Sequence, residues 1–302
     1  MLPARQIDQH KQEDPDDIDE VPTETDHPDR RVIGAREAAA PSGLGRTAVA
    51  VALTFVAGYV DAIGWLRLDQ VFVAQMSGNI MLLAVHLVAG NAGHTSLQAD
   101  AILAFFVGLV VSGSVIEIGM RQRIRRIFVA AIALEVAMLI AFTLTASAAL
   151  PAADGGRNAV AAMTYVGVAI VAFAMGAQNT SLRMAGILSV YTTHMTGALT
   201  RLSEELIVCL FALFQRRRGR GVHGGFVASG LRETHPTAFR NIGQSALLIA
   251  AFFVGAVAGV RMLQNPGAVA TAMVVPLAVL IAIGVLEWIM PLTQFPSSVE
   301  QE

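Results

Sequence analysis

Three ionisable side chains interrupt runs that are otherwise apolar enough for lipid. They are Asp61 in GYVDAIGW (58–65), Glu135 in FVAAIALEVAML (128–139) and His194 in VYTTHMTG (190–197). A carboxyl inside hydrocarbon is costly to ionise, so each is a candidate for holding a proton or facing a charged solute. Glu135 comes eight residues after Ile127, about 12 Å into a helix at 1.5 Å per residue, too deep for its short side chain to reach an interface. Histidine is the side chain among them that titrates near neutrality. Asp61, Glu135 and His194 are therefore the candidates for ion coupling. The bland readings are that Asp61 caps the following segment or pairs with Arg67, and that His194 is a satisfied structural histidine.

A second group of residues offers hydrogen bonds without charge. Gln75, Ser77 and Asn79 surround Gly78, and Thr196 stands beside Gly197 in a matching position. Glycine permits a tight backbone path, while amides and hydroxyls both donate and accept. Such a cluster suits a polar site where a helix breaks inside a membrane. Gln178 and Asn179 add two further amides. The predicted solute-binding set is Gln75, Ser77, Gly78, Asn79, Gln178, Asn179, His194, Thr196 and Gly197. The competing reading is polar glue that satisfies the broken backbone. Arg183 reads by default as snorkelling to headgroups. His194 with Met195 and Cys209 lacks an ordinary zinc ligand set. Neither a phosphate-binding glycine loop nor an HExxH or GxSxG constellation is present, so the chain reads as neither an enzyme nor an ATP-driven pump, with no cofactor.

The elements that position these residues are written twice. AFFVG at 104–108 returns at 251–255, and VFVAQMSG at 71–78 aligns without gaps on VYTTHMTG at 190–197. That second alignment pairs His194 with Gln75; carried back along the chain, it pairs Thr180 with Asp61. Six runs are long enough to cross about 30 Å of hydrocarbon: 47–66, 101–120, 127–149, 158–180, 244–263 and 269–290. Residues 71–90 and 187–213 are apolar but interrupted. Arg46, the cluster Arg121, Arg123, Arg125 and Arg126, and the cluster Arg216, Arg217, Arg218 and Arg220 belong on the cytoplasmic side. An even number of crossings must separate them, so neither interrupted segment crosses fully. The expected fold is an all-α membrane protein of two inverted repeats, 46–149 and 158–290, with six full transmembrane helices and two re-entrant or broken helical elements. The odd number of crossings per half inverts the second copy, the logic of many secondary transporters, and alternating access would rock one half against the other.

Composition agrees. The chain has 302 residues, 54% hydrophobic and 15% charged, where soluble domains are nearer a quarter charged. Residues 1–45 are read as a disordered acidic cytoplasmic tail without a visible signal peptide. Residues 214–243 are read as a basic cytoplasmic loop; its arginines fit topology better than nucleic-acid binding. Both termini are expected in the cytoplasm. One cysteine, Cys209, leaves no intrachain disulfide.

The segments YVDAIGW (59–65), VFVAQMSGN (71–79), MGAQN (175–179) and TTHMTG (192–197) resemble the YoaK-like family of bacterial multi-pass inner-membrane proteins. The resemblance covers roughly residues 48–290. Asp61, Ser77, Gly78, Asn79, Gln178, Asn179, Thr196 and Gly197 match its pattern, while Ala198 stands where the first half has Asn79. It implies an inner-membrane location and no particular substrate. The working expectation is a secondary transporter of a small polar or anionic solute, with membrane lipids, protons and a second copy of the chain as candidate partners. A channel and a membrane scaffold are the alternatives.

Overall fold

A computed structural model describes residues 44–122, 124, 126–149, 157–184, 195–217, 226–264 and 269–289. Eight helices lie among them. In chain order they are α1 (Leu44–Arg67), α2 (Met76–Val88), α3 (Ala92–Arg121), α4 (Ile127–Ala149), α5 (Arg157–Met184), α6 (Met195–Arg217), α7 (Phe226–Met262) and α8 (Val269–Ile289). Six contain a run long and apolar enough to cross a membrane: α1, α3, α4, α5, α7 and α8. Residues 1–43, which hold nearly all of the expected acidic tail, lie outside the described set, as does His194.

The inverted arrangement follows from contacts at helix ends. The Gln178 amide donates to the carbonyl of Leu53, while Leu68 packs on Gly167, so α1 and α5 run antiparallel. Ser96 meets Tyr165 and Ser112 meets Ser181, so α3 runs parallel to α5. Gln244 donates to Thr47 at 3.1 Å and Arg67 to the carbonyl of Leu263 at 3.4 Å, so α7 runs parallel to α1. Helices α1 and α3 are therefore opposed although α2 lies between them. The same holds for α5 and α7 around α6. Among the described residues α2 and α6 are the helices without a run long and apolar enough to cross. At 13 residues, α2 is about 20 Å long, short of the hydrocarbon thickness.

Two crossings built alike hold the bundle. Helices α1 and α7 meet where a Cβ on Gly58 would strike the carbonyl of Phe252 and one on Gly255 would strike the carbonyl of Phe55. Helices α3 and α5 meet where Gly176 lies against the carbonyl of Phe105 and Gly108 against that of Phe173. Only glycine allows backbones this close, the small-residue packing of membrane helices. The equivalence also moves the register by one residue. Gly176 matches Gly58 and Ala177 matches Tyr59, so Asn179, not Thr180, corresponds to Asp61. A one-residue insertion before the second VYTTHMTG segment concealed this.

Each close pair takes one helix from each half. The halves are interlocked. Helices α2 and α6 lie on α3 and α7, while α4 and α8 pack together. The two sides are not equal: α4 lies broadly along α5, whereas α8 makes a narrower contact with α1. Exposed Phe106, Val110, Ile140, Leu144, Phe253, Val257, Ile281 and Val285 form an apolar exterior suited to lipid.

Helix bounds differ from expectation in two places. Helix α3 starts at Ala92 rather than 101, because the Asn91 side chain accepts from the His94 N–H and Gly90 turns the chain at φ 70°. The stretch expected as the loop 214–243 is largely helical: α6 runs to Arg217 and α7 begins at Phe226.

Candidate functional site

Two polar regions emerge, a clamp and cleft at the Trp65 end of the bundle and a set of amides and a carboxyl in its interior. Beyond α1 the chain turns at Leu68–Gln70 and doubles back along α1 as an irregular strand, Val71–Gln75, before α2 begins. An irregular backbone at that depth needs protein partners. Asp61 supplies them. Its buried Oδ1 accepts the N–H groups of Val73 and Ala74, both at 2.8 Å, and the Gln75 N–H also turns to the carboxylate. Asn79 does the same from the other flank. Its Oδ1 accepts from the Phe72 N–H at 3.0 Å and its Nδ2 donates to the Phe72 carbonyl at 2.5 Å, as a neighbouring strand would.

Glycine lets the segment approach. A Cβ on Gly64 would lie 2.9 Å from a Val73 methyl, and one on Gly78 would lie 2.8 Å from the Phe72 ring. The Phe72 ring stacks on Trp65 with centroids 4.5 Å apart. Asp61, Gly78 and Asn79 thus serve the broken backbone, the reading that competed with solute binding. Gln75 is half-buried at the foot of α2 with no side-chain cap, and Ser77 is exposed. In the second half Thr196 and Gly197 are exposed in the first turn of α6, and Ala198 is buried.

The interior carries the other group. Glu135, Gln178 and Asn179 are buried, and each has one side-chain oxygen without a partner among the described residues. Phe142 and Gly167 touch across α4 and α5. Glu135 shares its face of α4 with Phe142, and Gln178 shares its face of α5 with Gly167. Counting from that contact at 1.5 Å per residue puts Glu135 and Gln178 at depths within about 6 Å of each other. A buried carboxyl and a buried amide at similar depth, each with an oxygen unserved among the described residues, can take up a proton or a polar group of a solute.

Sequence reasoning missed Tyr59 and Pro276. Pro276 lies inside α8 and has no N–H to give the carbonyl of Ala272 four residues earlier. The buried Tyr59 hydroxyl donates to that carbonyl at 2.7 Å. A proline in a span should have prompted a search for a hydroxyl on a neighbouring helix. Sequence reasoning also missed a cleft of about 640 Å³ at the Trp65 end, lined by Trp65, Leu66, Arg67, Asp69, Gln70, Gly93, His94, Leu97, Thr164 and Tyr165. At the opposite end, Arg126 lies 3.7 Å over the Trp288 ring and Glu117 pairs with Arg121. Among the described residues no three His, Cys, Asp or Glu side chains converge as a metal site would require.

The chain belongs to the family described as Protein of unknown function (DUF1275), which matches residues 49–286. It is 26% identical to the UPF0700 transmembrane protein YoaK of Bacillus subtilis (strain 168) over 167 residues, 55% of this chain and 69% of that one. It is 32% identical to the UPF0700 transmembrane protein RA0705 of Rhizobium meliloti (strain 1021) over 177 residues, 59% of this chain and 66% of that one. No solved structure matches it. The resemblance read from the motifs is thereby established, and with it a bacterial multi-pass inner-membrane protein.

Proposed function

We propose that the chain is a secondary transporter of a small polar or anionic solute, with protons as the coupling ion. The observation that carries this reading is the interlocked inverted repeat whose two sides are packed unequally. Two copies of one structure, turned over and held in different arrangements, are what alternating access requires. The moving bodies in this reading are the parallel pairs α1–α7 and α3–α5, which exchange their packing against α8 and α4. The cleft at the Trp65 end is the open entrance, on the non-cytoplasmic side if the arginine-rich end faces the cytoplasm. Glu135 carries the proton, and Gln178 and Asn179 meet the solute in the interior. Asp61 stays bound to backbone N–H groups throughout.

The test is uptake by the purified full chain in liposomes under an imposed pH gradient. Saturable, gradient-dependent entry of a solute is expected, with the gradient dependence lost in Glu135→Gln. If no solute or ion moves faster than through empty vesicles, the transport reading is wrong.

A further inference from the structure

The turn that closes α1 is strained and carries side chains where glycine would be easier. Asp69 and Gln70 are consecutive non-glycine residues at φ 55° and 61°, in the left-handed region. Glycine is the usual occupant of such positions after a helix, since it has no Cβ to clash. Aspartate tolerates this region better than most residues, and glutamine does not share that tolerance. Helix α3 holds the turn in place from two positions one helical turn apart. His94 Nε2 lies 3.4 Å from Asp69 Oδ2, and the Gln98 amide, fully buried, donates to the Gln70 carbonyl at 3.4 Å. Backbone strain fixed by surrounding structure is a pointer to function when the strained residues face a cavity. Both line the cleft.

The cleft wall holds one permanent cation and one acid two positions apart in sequence. Arg67 donates to the carbonyl of Leu263 at 3.4 Å, which ties the guanidinium to the turn that follows α7. Asp69 is steadied by His94. The rest of the lining mixes Trp65, Leu66 and Leu97 with Gln70, His94, Thr164 and Tyr165, the last fixed by its bonds to Ser96 and to the Gly93 carbonyl. A volume of about 640 Å³ is in the range of small-molecule sites.

We propose that this cleft binds a small free zwitterion of the α-amino-acid class, its carboxylate on Arg67, its ammonium on Asp69 and its side chain against Trp65 and Leu97. A wall with one permanent cation and one acid favours a solute of both signs over a simple anion or amine. Trp65, Leu66 and Leu97 in the wall, with that volume, leave room for side chains up to aromatic size. This inference rests on the transport reading for its biological meaning, but binding is measurable without transport.

The experiment is calorimetric titration of the full chain in phosphatidylcholine nanodiscs with L-alanine, L-leucine and L-phenylalanine. Propionate and ethylamine serve as the two halves of the zwitterion. The amino acids are expected to bind at least tenfold more tightly than either half, and Arg67→Gln and Asp69→Asn each to weaken them at least tenfold. Asp69→Gly separates strain from charge: its melting temperature should match or exceed the wild type while binding is lost. Equal affinity for amino acids and their halves, or unchanged binding in both charge variants, overturns the proposal. So does loss of amino-acid binding on adding phosphatidylethanolamine to the nanodiscs, which would assign the cleft to a lipid headgroup with the same pair of charges. Binding without uptake would leave the cleft standing and remove the transport reading, whereas uptake of a solute that the cleft does not bind would do the reverse.

Discussion

Replacing Tyr59 with phenylalanine removes one hydroxyl and strands one carbonyl. The carbonyl of Ala272 is buried, and Pro276 has taken away its helical donor, so no fallback is built into α8. Leaving a buried acceptor unpaired costs about 1–3 kcal/mol. Hydrogen bonds between membrane helices measure less, averaging about 0.6 and reaching about 1.7 kcal/mol, because freed groups find other partners. Here the usual partner is missing, which puts Tyr59→Phe near the top of that range, about 1.5 kcal/mol. Pro276→Ala restores an N–H at position 276, four residues after Ala272. In that background Tyr59→Phe should cost under about 0.5 kcal/mol, so the two changes should couple by about 1 kcal/mol. The assay is unfolding of the four proteins of the cycle in mixed micelles. Additive effects, within about 0.3 kcal/mol, would refute the claim that the hydroxyl substitutes for the missing N–H.

Three further outcomes follow from the same geometry. Gly255→Leu and Gly108→Leu should each destabilise the chain by at least about 2 kcal/mol in the same unfolding assay, since each side chain would meet a backbone carbonyl that cannot yield. Similar costs at the two positions are expected if the crossings are equivalent. Asp61→Ala should cost about 2–4 kcal/mol by orphaning the N–H groups of Val73 and Ala74, whereas Asp61→Asn, which keeps an acceptor oxygen, should fold and retain any uptake. Abolished uptake in a well-folded Asp61→Asn would return Asp61 to the list of coupling groups. Glu135→Gln, a neutral near-isostere at a buried site, should leave the melting temperature within a few degrees while removing pH dependence from uptake.

Much of the architecture was legible because hydrophobic length and arginine placement are coarse signals that local detail does not override. The six spans and the inversion follow from them. Register was harder. The glycine crossings pair Asp61 with Asn179, but the ungapped alignment of the neighbouring segments carries an offset one residue too long, and only backbone contact reveals the insertion. Motif chemistry was ambiguous for a physical reason: a carboxylate and an amide beside a glycine are what a solute site needs and also what a broken backbone needs. Asp61 and Asn79 answer the second need. The cleft was not legible, because Arg67, Asp69, His94 and Tyr165 come from the end of α1, the turn after it, α3 and α5, and no spacing in the chain joins them. Tyr59 was readable in principle, since an intramembrane proline leaves a carbonyl that some neighbour must serve.

Alternating access by the interlocked pairs is tested most directly by distances measured in lipid. Spin labels at Leu66 and Met163 report the Trp65 end between α1 and α5, and labels at Ala48 and Arg121 report the arginine-rich end between α1 and α3. Pulsed dipolar measurements in nanodiscs, with and without a transported solute and across a pH step, should give two populations that shift in opposite senses at the two ends. A single unchanging distance at both ends under every condition would contradict it.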